Sequence, residues 1–124
     1  NNITNIRFIV DDCQKFIERE IRRGNFYDAI VMDPPSYGRG PSGEMWKLED
    51  NLADFVALTK KVLSDKPLFV LINSYTTGLQ PTVISNILKC VFGKENVEAD
   101  EIGLPTEEDL ILPCGATGVK VWKN

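Results

Sequence analysis

Apolar residues in this chain fall into two kinds of run, and their alternation sets out a fold. Cys13, Phe16, Ile17 and Ile21 recur at helical spacing behind Asp11 and Asp12 and stop at Gly24, which predicts a helix. Leu52, Phe55, Val56, Thr59, Val62 and Leu63 form a second helical stripe. Val83, Ile84, Ile87, Leu88, Val91 and Phe92 form a third, opened by Pro81 and closed by Gly93. A short β-rich run at residues 7–10 precedes the first stripe, and apolar runs at 29–32 and 68–72, the last opened by Pro67, lie between the stripes. The run at 29–32 is apolar on both faces, as in a parallel strand covered by helices on either side. The tail differs: residues 97–102 and 118–122 alternate apolar and polar, which predicts two antiparallel strands at one edge. The order strand, helix, strand, helix, strand, helix, strand, strand is an α/β sheet in a single domain over residues 1–124.

The bulk numbers narrow the chemistry. With 124 residues and 43% hydrophobic content, one real core is expected. Lys and Arg number 14 against 18 Asp and Glu, a net charge of -4, so no global basic field draws the chain to nucleic acid or an anionic membrane. Histidine is absent, which removes Ser-His-Asp and Cys-His nucleophiles, imidazole bases and His-ligated metals together. Cys13, Cys90 and Cys114 are odd in number and widely spread, so neither a disulfide framework nor a zinc site is expected. The longest apolar run, residues 67–72, is too short to span a bilayer, and no leader pattern is visible. These features predict a soluble cytoplasmic protein. The opening "NNITNIRFIV" lacks an initiator Met and already enters a strand, so a piece of something longer is expected.

The stretch "YDAIVMDPPSYGRGPSG" concentrates the candidate chemistry. Asp33 falls at the carboxyl end of a strand, where open α/β sheets bind ligands. Pro34 and Pro35 fix φ and remove two backbone donors, leaving the carbonyls of the turn as acceptors beside a carboxylate. Such a row suits an amine or a base edge. Tyr37 adds a stacking face, Arg39 a phosphate contact, and Gly38, Gly40 and Gly43 a loop free to move. The plainer account is a structural turn with an aspartate capping nearby amides.

Taken with the upstream "VDDCQKF" and the downstream "LFVLINS", "DAIVMDPPSYGRG" resembles the second half of a class I S-adenosylmethionine-dependent methyltransferase. It is most similar to the ribosomal-RNA methyltransferases that carry a DPP motif after the fourth strand. The resemblance covers nearly the whole chain, as the third to seventh strands of a Rossmann-like sheet that is mostly parallel with an antiparallel C-terminal edge. It implies S-adenosylmethionine as cofactor and methyl transfer to RNA by the intact parent, the chain alone being inactive. It further implies that Asp12 contacts the adenine amine and the Cys13 amide the adenine ring. Asp33, Pro34 and Pro35 would frame the donor and target cleft, with Tyr37, Arg39 and Ser74 toward the substrate. Plainer roles are an N-cap for Asp12 and a small buried residue for Cys13. A cytosine-C5 branch would need a cysteine after the fifth strand, where this chain has Asn73 to Thr77. Pro113-Cys114, the one Pro-Cys pair, is expected to be structural.

The resemblance also shows what is lacking. The glycine-rich turn after the family's first strand, and the acid ending its second, bind most of the cofactor there, and neither strand is present. "GRGPSG" at 38–43 matches G-x-G-x-x-G formally, but it contains Pro41, and the next strand ends in Asn73 rather than an acid. In a sheet ordered 3-2-1-4-5-7-6, two strands should separate residues 7–10 from 29–32. The bared edge of the 29–32 strand is therefore expected either to take up the 7–10 strand or to pair two copies as a homodimer.

Readings from other classes remain. "IRFIVDD" and "YDAIVMD" also look like the acidic pair and phosphoacceptor strand of a two-component receiver, but only 21 residues separate Asp12 from Asp33, and the lysine expected after a late strand is lacking. A P-loop ATPase lacks its G-x-x-x-x-G-K-[ST]. A non-catalytic RNA-binding or assembly module would use Lys15, Arg19, Arg22 and Arg23 on one side of the first helix, a face that Glu18 and Glu20 offset.

Overall fold

Residues 1–123 are described by a computed structural model. Helix α1 (Cys13–Arg23) starts where Asp12 accepts the Lys15 amide at 2.9 Å and ends at Gly24, whose φ of 70° is the left-handed conformation glycine adopts without penalty. Strand β1 (Ala29–Met32) follows, then a small antiparallel hairpin of β2 (Tyr37–Arg39) and β3 (Met45–Lys47). Helix α2 (Leu48–Thr59) runs into a 3-10 turn, Lys60–Val62. Strand β4 (Phe69–Ser74), helix α3 (Pro81–Phe92) and the long strands β5 (Val97–Pro105) and β6 (Ile111–Val121) complete the chain.

The main sheet has four strands in the order β1-β4-β6-β5. β1 and β4 are parallel, and β6 lies antiparallel between β4 and β5. This is the 4-5-7-6 part of the expected order, with the antiparallel edge where the tail pattern placed it. The register sets Met32, Ile72 and Gly118 side by side, and Val70 next to Ile30 on the same face. Ile84 and Leu88 of α3 pack on Gly118, and Leu48, Leu52 and Val56 of α2 complete the buried cluster. A Cβ at Gly118 would run into Ile84, so glycine is what lets α3 approach the sheet. Beyond α3, buried Lys120 donates to the Glu95 carbonyl at 2.5 Å and the Gly93 carbonyl at 3.4 Å, supplying donors to backbone that the helix has left behind.

Several expectations are corrected. Residues 7–10 are not a strand: they carry no regular secondary structure and are exposed, Phe8 at 87%. β structure requires a neighbour to take its N–H and C=O groups, and among the described residues no strand pairs with this segment. It therefore does not close against β1, whose edge stays unpaired. β1 is not covered on both faces either: Met32 is buried but Val31 is 65% exposed. The second helix begins at Leu48, four residues before its predicted first apolar position, and residues 37–47 form a hairpin rather than a loop. The turn there is closed by Gly40 N–H to Glu44 O at 2.8 Å and Gly43 N–H to Gly40 O at 3.1 Å, with Gly43 at φ 86°.

At the far end of α1, the Tyr27 hydroxyl and the Asn25 amide donate to the buried Glu20 carboxylate, and Arg23 pairs with it at 3.1 Å. Chiefly through the Tyr27 bond, then that of Asn25, the Glu20 carboxyl is held below its ordinary value of 4.5. A depressed folded value means that this cluster stabilises the protein fully above about pH 4.5, and that the contribution is lost as the pH falls through the folded value. Glu20→Gln should accordingly lower the urea midpoint at pH 7, with the gap from the unsubstituted protein narrowing below pH 4.5. A gap that stayed constant with pH would show that the carboxylate's charge is not what stabilises this corner.

Candidate active site

The strand β1 delivers Asp33 to the carboxyl end of the sheet, and the chain then turns through Pro34 and Pro35. With no N–H on either proline, this turn can be held only through its carbonyls and through Ser36. Trp46 of β3 donates its indole N–H to the Pro35 carbonyl at 2.7 Å. The Leu48 amide donates to the Ser36 carbonyl at 3.0 Å. From beyond β4, Thr76 Oγ1 donates to Ser36 Oγ at 2.7 Å. The expectation that the carbonyls of the turn stay free is thus corrected for Pro35 and Ser36, while the Asp33 carboxylate makes no side-chain hydrogen bond or ion pair among the described residues.

Asp33, Pro34 and Pro35 line a cleft of about 660 Å³ whose opposite wall is Arg7, Ile9 and residues 11–14. Asp12 and Cys13 are therefore brought to the same space as the DPP turn. Asp12 keeps its N-cap role there; its second carboxylate oxygen has no hydrogen-bond partner among the described residues. Cys13 is exposed rather than buried, which corrects the plainer account of it: the first residue of α1 faces the opening and not the core. Asp11 is ion-paired with Arg19. The floor is apolar, with Phe16, Ile30, Met32, Trp46 and Phe55.

The remaining sequence-derived residues lie elsewhere. Tyr37 is 53% exposed on β2 and receives a hydrogen bond from Arg39 Nε at 2.9 Å. Arg39 lines a second cleft of about 750 Å³ between the hairpin, α1 and α2, which shares Asp12, Gln14, Trp46 and Phe55 with the first. Ser74 is fully buried at the end of β4, lines neither cleft, and its hydroxyl accepts the Thr76 amide at 3.3 Å. Trp46, which stacks edge-on against Phe55 at 5.7 Å, was not singled out by sequence. The available signal was the "GPSG" turn between two short β-prone segments, which marks a hairpin and so places Trp46 back over Pro35. No group of three or more candidate metal ligands occurs among the described residues.

Order, strand direction and the acidic turn at the end of β1 together define the second half of a class I S-adenosylmethionine-dependent methyltransferase fold, and this chain has that architecture. Comparison with solved structures agrees. The SAM-dependent methyltransferase from Agrobacterium tumefaciens superposes with a TM-score of 0.78 at 27% identity over 90% of this chain and 38% of its own. SMU.776, complexed with SAH, matches at a TM-score of 0.68 and 18% identity over 90% of this chain and 30% of its own. M1.HpyAVI matches at 0.53 and 14%, over 88% and 50%. The chain thus spans well under half the length of the first two. No family model and no curated protein matches the sequence.

Proposed function

We propose that this chain is the substrate-facing half of an S-adenosylmethionine-dependent methyltransferase acting on nucleic acid, with ribosomal RNA as the substrate class, in the cytoplasm. The observation that carries the reading is the meeting of Asp12, Cys13, Asp33, Pro34 and Pro35 in one cleft. Its lining fits the cofactor: an apolar floor for a purine, and the Asp12 and Asp33 carboxylates for an amine or a cationic centre. Asp12 and the Cys13 amide would hold the adenine, and Asp33 the donor end, with most binding supplied by upstream residues. The cofactor supplies an activated methyl group on a sulfonium. The chain's own task is orientation, which is where most of the rate of such a transfer arises. The Asp33 carboxylate and the Pro34 carbonyl are acceptors, and Pro34 has no N–H, an arrangement that would hold a target N–H toward the methyl. Tyr37 and Arg39, exposed on the hairpin, give the substrate a stacking surface and a phosphate contact.

The competing readings have less support. A single helix, α1, stands between Asp12 and Asp33, which leaves no room for a receiver's intervening strand. Of the four basic residues on α1, Arg19 pairs with Asp11 and Arg23 with Glu20, so half of that face is neutralised. Among the described residues no helix is long and apolar enough to cross a membrane. The unpaired edge of β1 is also where a second copy would pair.

The test is transfer of labelled methyl from S-adenosylmethionine to ribosomal RNA, to duplex DNA and to protein, by a polypeptide extended upstream of residue 1. Label in RNA alone supports the proposal. Label in protein or DNA keeps the methyltransferase and overturns the substrate, and no label in any of the three overturns both.

A further inference from the structure

The acidic turn has a brace that the methyl-transfer reading does not assign. Because Pro34 and Pro35 carry no N–H, each donor that holds the turn must take one of its acceptors. Trp46 takes the Pro35 carbonyl, and the Leu48 amide takes that of Ser36, while Asp33 and Pro34 line the cleft and the Asp33 carboxylate has no side-chain partner among the described residues. Trp46 is the side-chain member of this pair. It is half-buried, fixed edge-on against Phe55 at an interplanar angle of 83°, and forms a wall common to both clefts.

We infer that Trp46 is a positioning residue: its indole N–H, by holding the Pro35 carbonyl, sets the direction in which Asp33 and Pro34 present their oxygens to the ligand. The inference deepens the proposed function and rests on it for its catalytic consequence, but the brace itself is a property of the chain without ligand. Phe55, packed through the ring edge, fixes the indole plane. The Thr76–Ser36 hydroxyl bond holds the turn from the other side, so loss of the indole bond should tilt the turn rather than unfold it.

The experiment has two arms. In the 124-residue chain, W46F keeps a ring against Phe55 and removes the N–H. Nuclear magnetic resonance should then show the Ser36 and Tyr37 amides shifted and more mobile, with those of Val70 and Ile72 unmoved, and slow exchange of the Trp46 indole proton before substitution. In the upstream-extended protein, W46F should lower kcat about tenfold with S-adenosylhomocysteine affinity within about twofold, the split expected when orientation rather than binding is lost. Replacing Trp46 with 3-benzothienylalanine, which keeps the shape without the N–H, should reproduce that loss. Unmoved turn amides overturn the inference, as does an unchanged kcat, or a kcat that falls only in step with affinity and thermal midpoint. If the unsubstituted extended protein binds no S-adenosylhomocysteine, the methyl-transfer reading fails by itself, and the resonance arm alone decides for or against the brace.

Discussion

Asp33→Ala, made in a protein extended upstream of residue 1, should lower methyl transfer by about 10²-fold while leaving the folding midpoint nearly unchanged. The two halves of this expectation come from the same observation. The carboxylate follows the last residue of β1, lines the cleft, and has no side-chain partner among the described residues, so the fold loses little when it goes. What is lost is an acceptor on a turn held in place by Trp46, Leu48 and Thr76, and a misplaced reactant costs far more in rate than the missing contact costs in stability. A variant with full kcat would remove Asp33 from the site. A variant that unfolds at lower denaturant would make it a structural residue of the turn.

The largest stability effect is expected at Ile72. It is fully buried in β4, flanked by Met32 of β1 and Gly118 of β6, and belongs to the cluster that α2 and α3 cover. Ile72→Ala removes three carbon atoms from a site where neighbours on both sides are fixed by ladder hydrogen bonds and cannot collapse into the gap. The expected loss is about 2–5 kcal/mol, a large fraction of the total for a domain of this size. Urea unfolding followed by circular dichroism measures it. A loss below about 1 kcal/mol would mean that the sheet relaxes around the cavity and is less tightly packed than its burial suggests.

The sequence was informative where structure is local. The stripes that begin at Cys13 and Val83, the stops at Gly24 and Gly93, and the apolar runs ending at Met32 and Ile72 are set by neighbours a few residues away, and each appears as an element near its expected place. The failures share a non-local cause. Residues 7–10 have the composition of a strand, but a strand exists only when paired with another, and among the described residues none pairs with them. The glycines and Pro41 between Tyr37 and Lys47 read as a loop because glycine and proline mark turns without saying whether the flanks pair. The site followed the same division. Asp33 could be put at the end of a strand from its own neighbours, and Asp12 at a helix start, whereas the exposure of Cys13, the burial of Ser74 and the position of Trp46 over Pro35 depend on how separate elements meet.

The central claim is that the cleft between residues 11–14 and the DPP turn is the cofactor's, completed by residues upstream. Calorimetric titration with S-adenosylhomocysteine of the 124-residue chain and of the upstream-extended protein, each with and without Asp12→Ala, tests it most directly. The account predicts binding by the extended protein, much weaker or absent binding by the 124-residue chain, and loss of affinity on Asp12→Ala. No binding by either protein, or binding indifferent to Asp12, would contradict it.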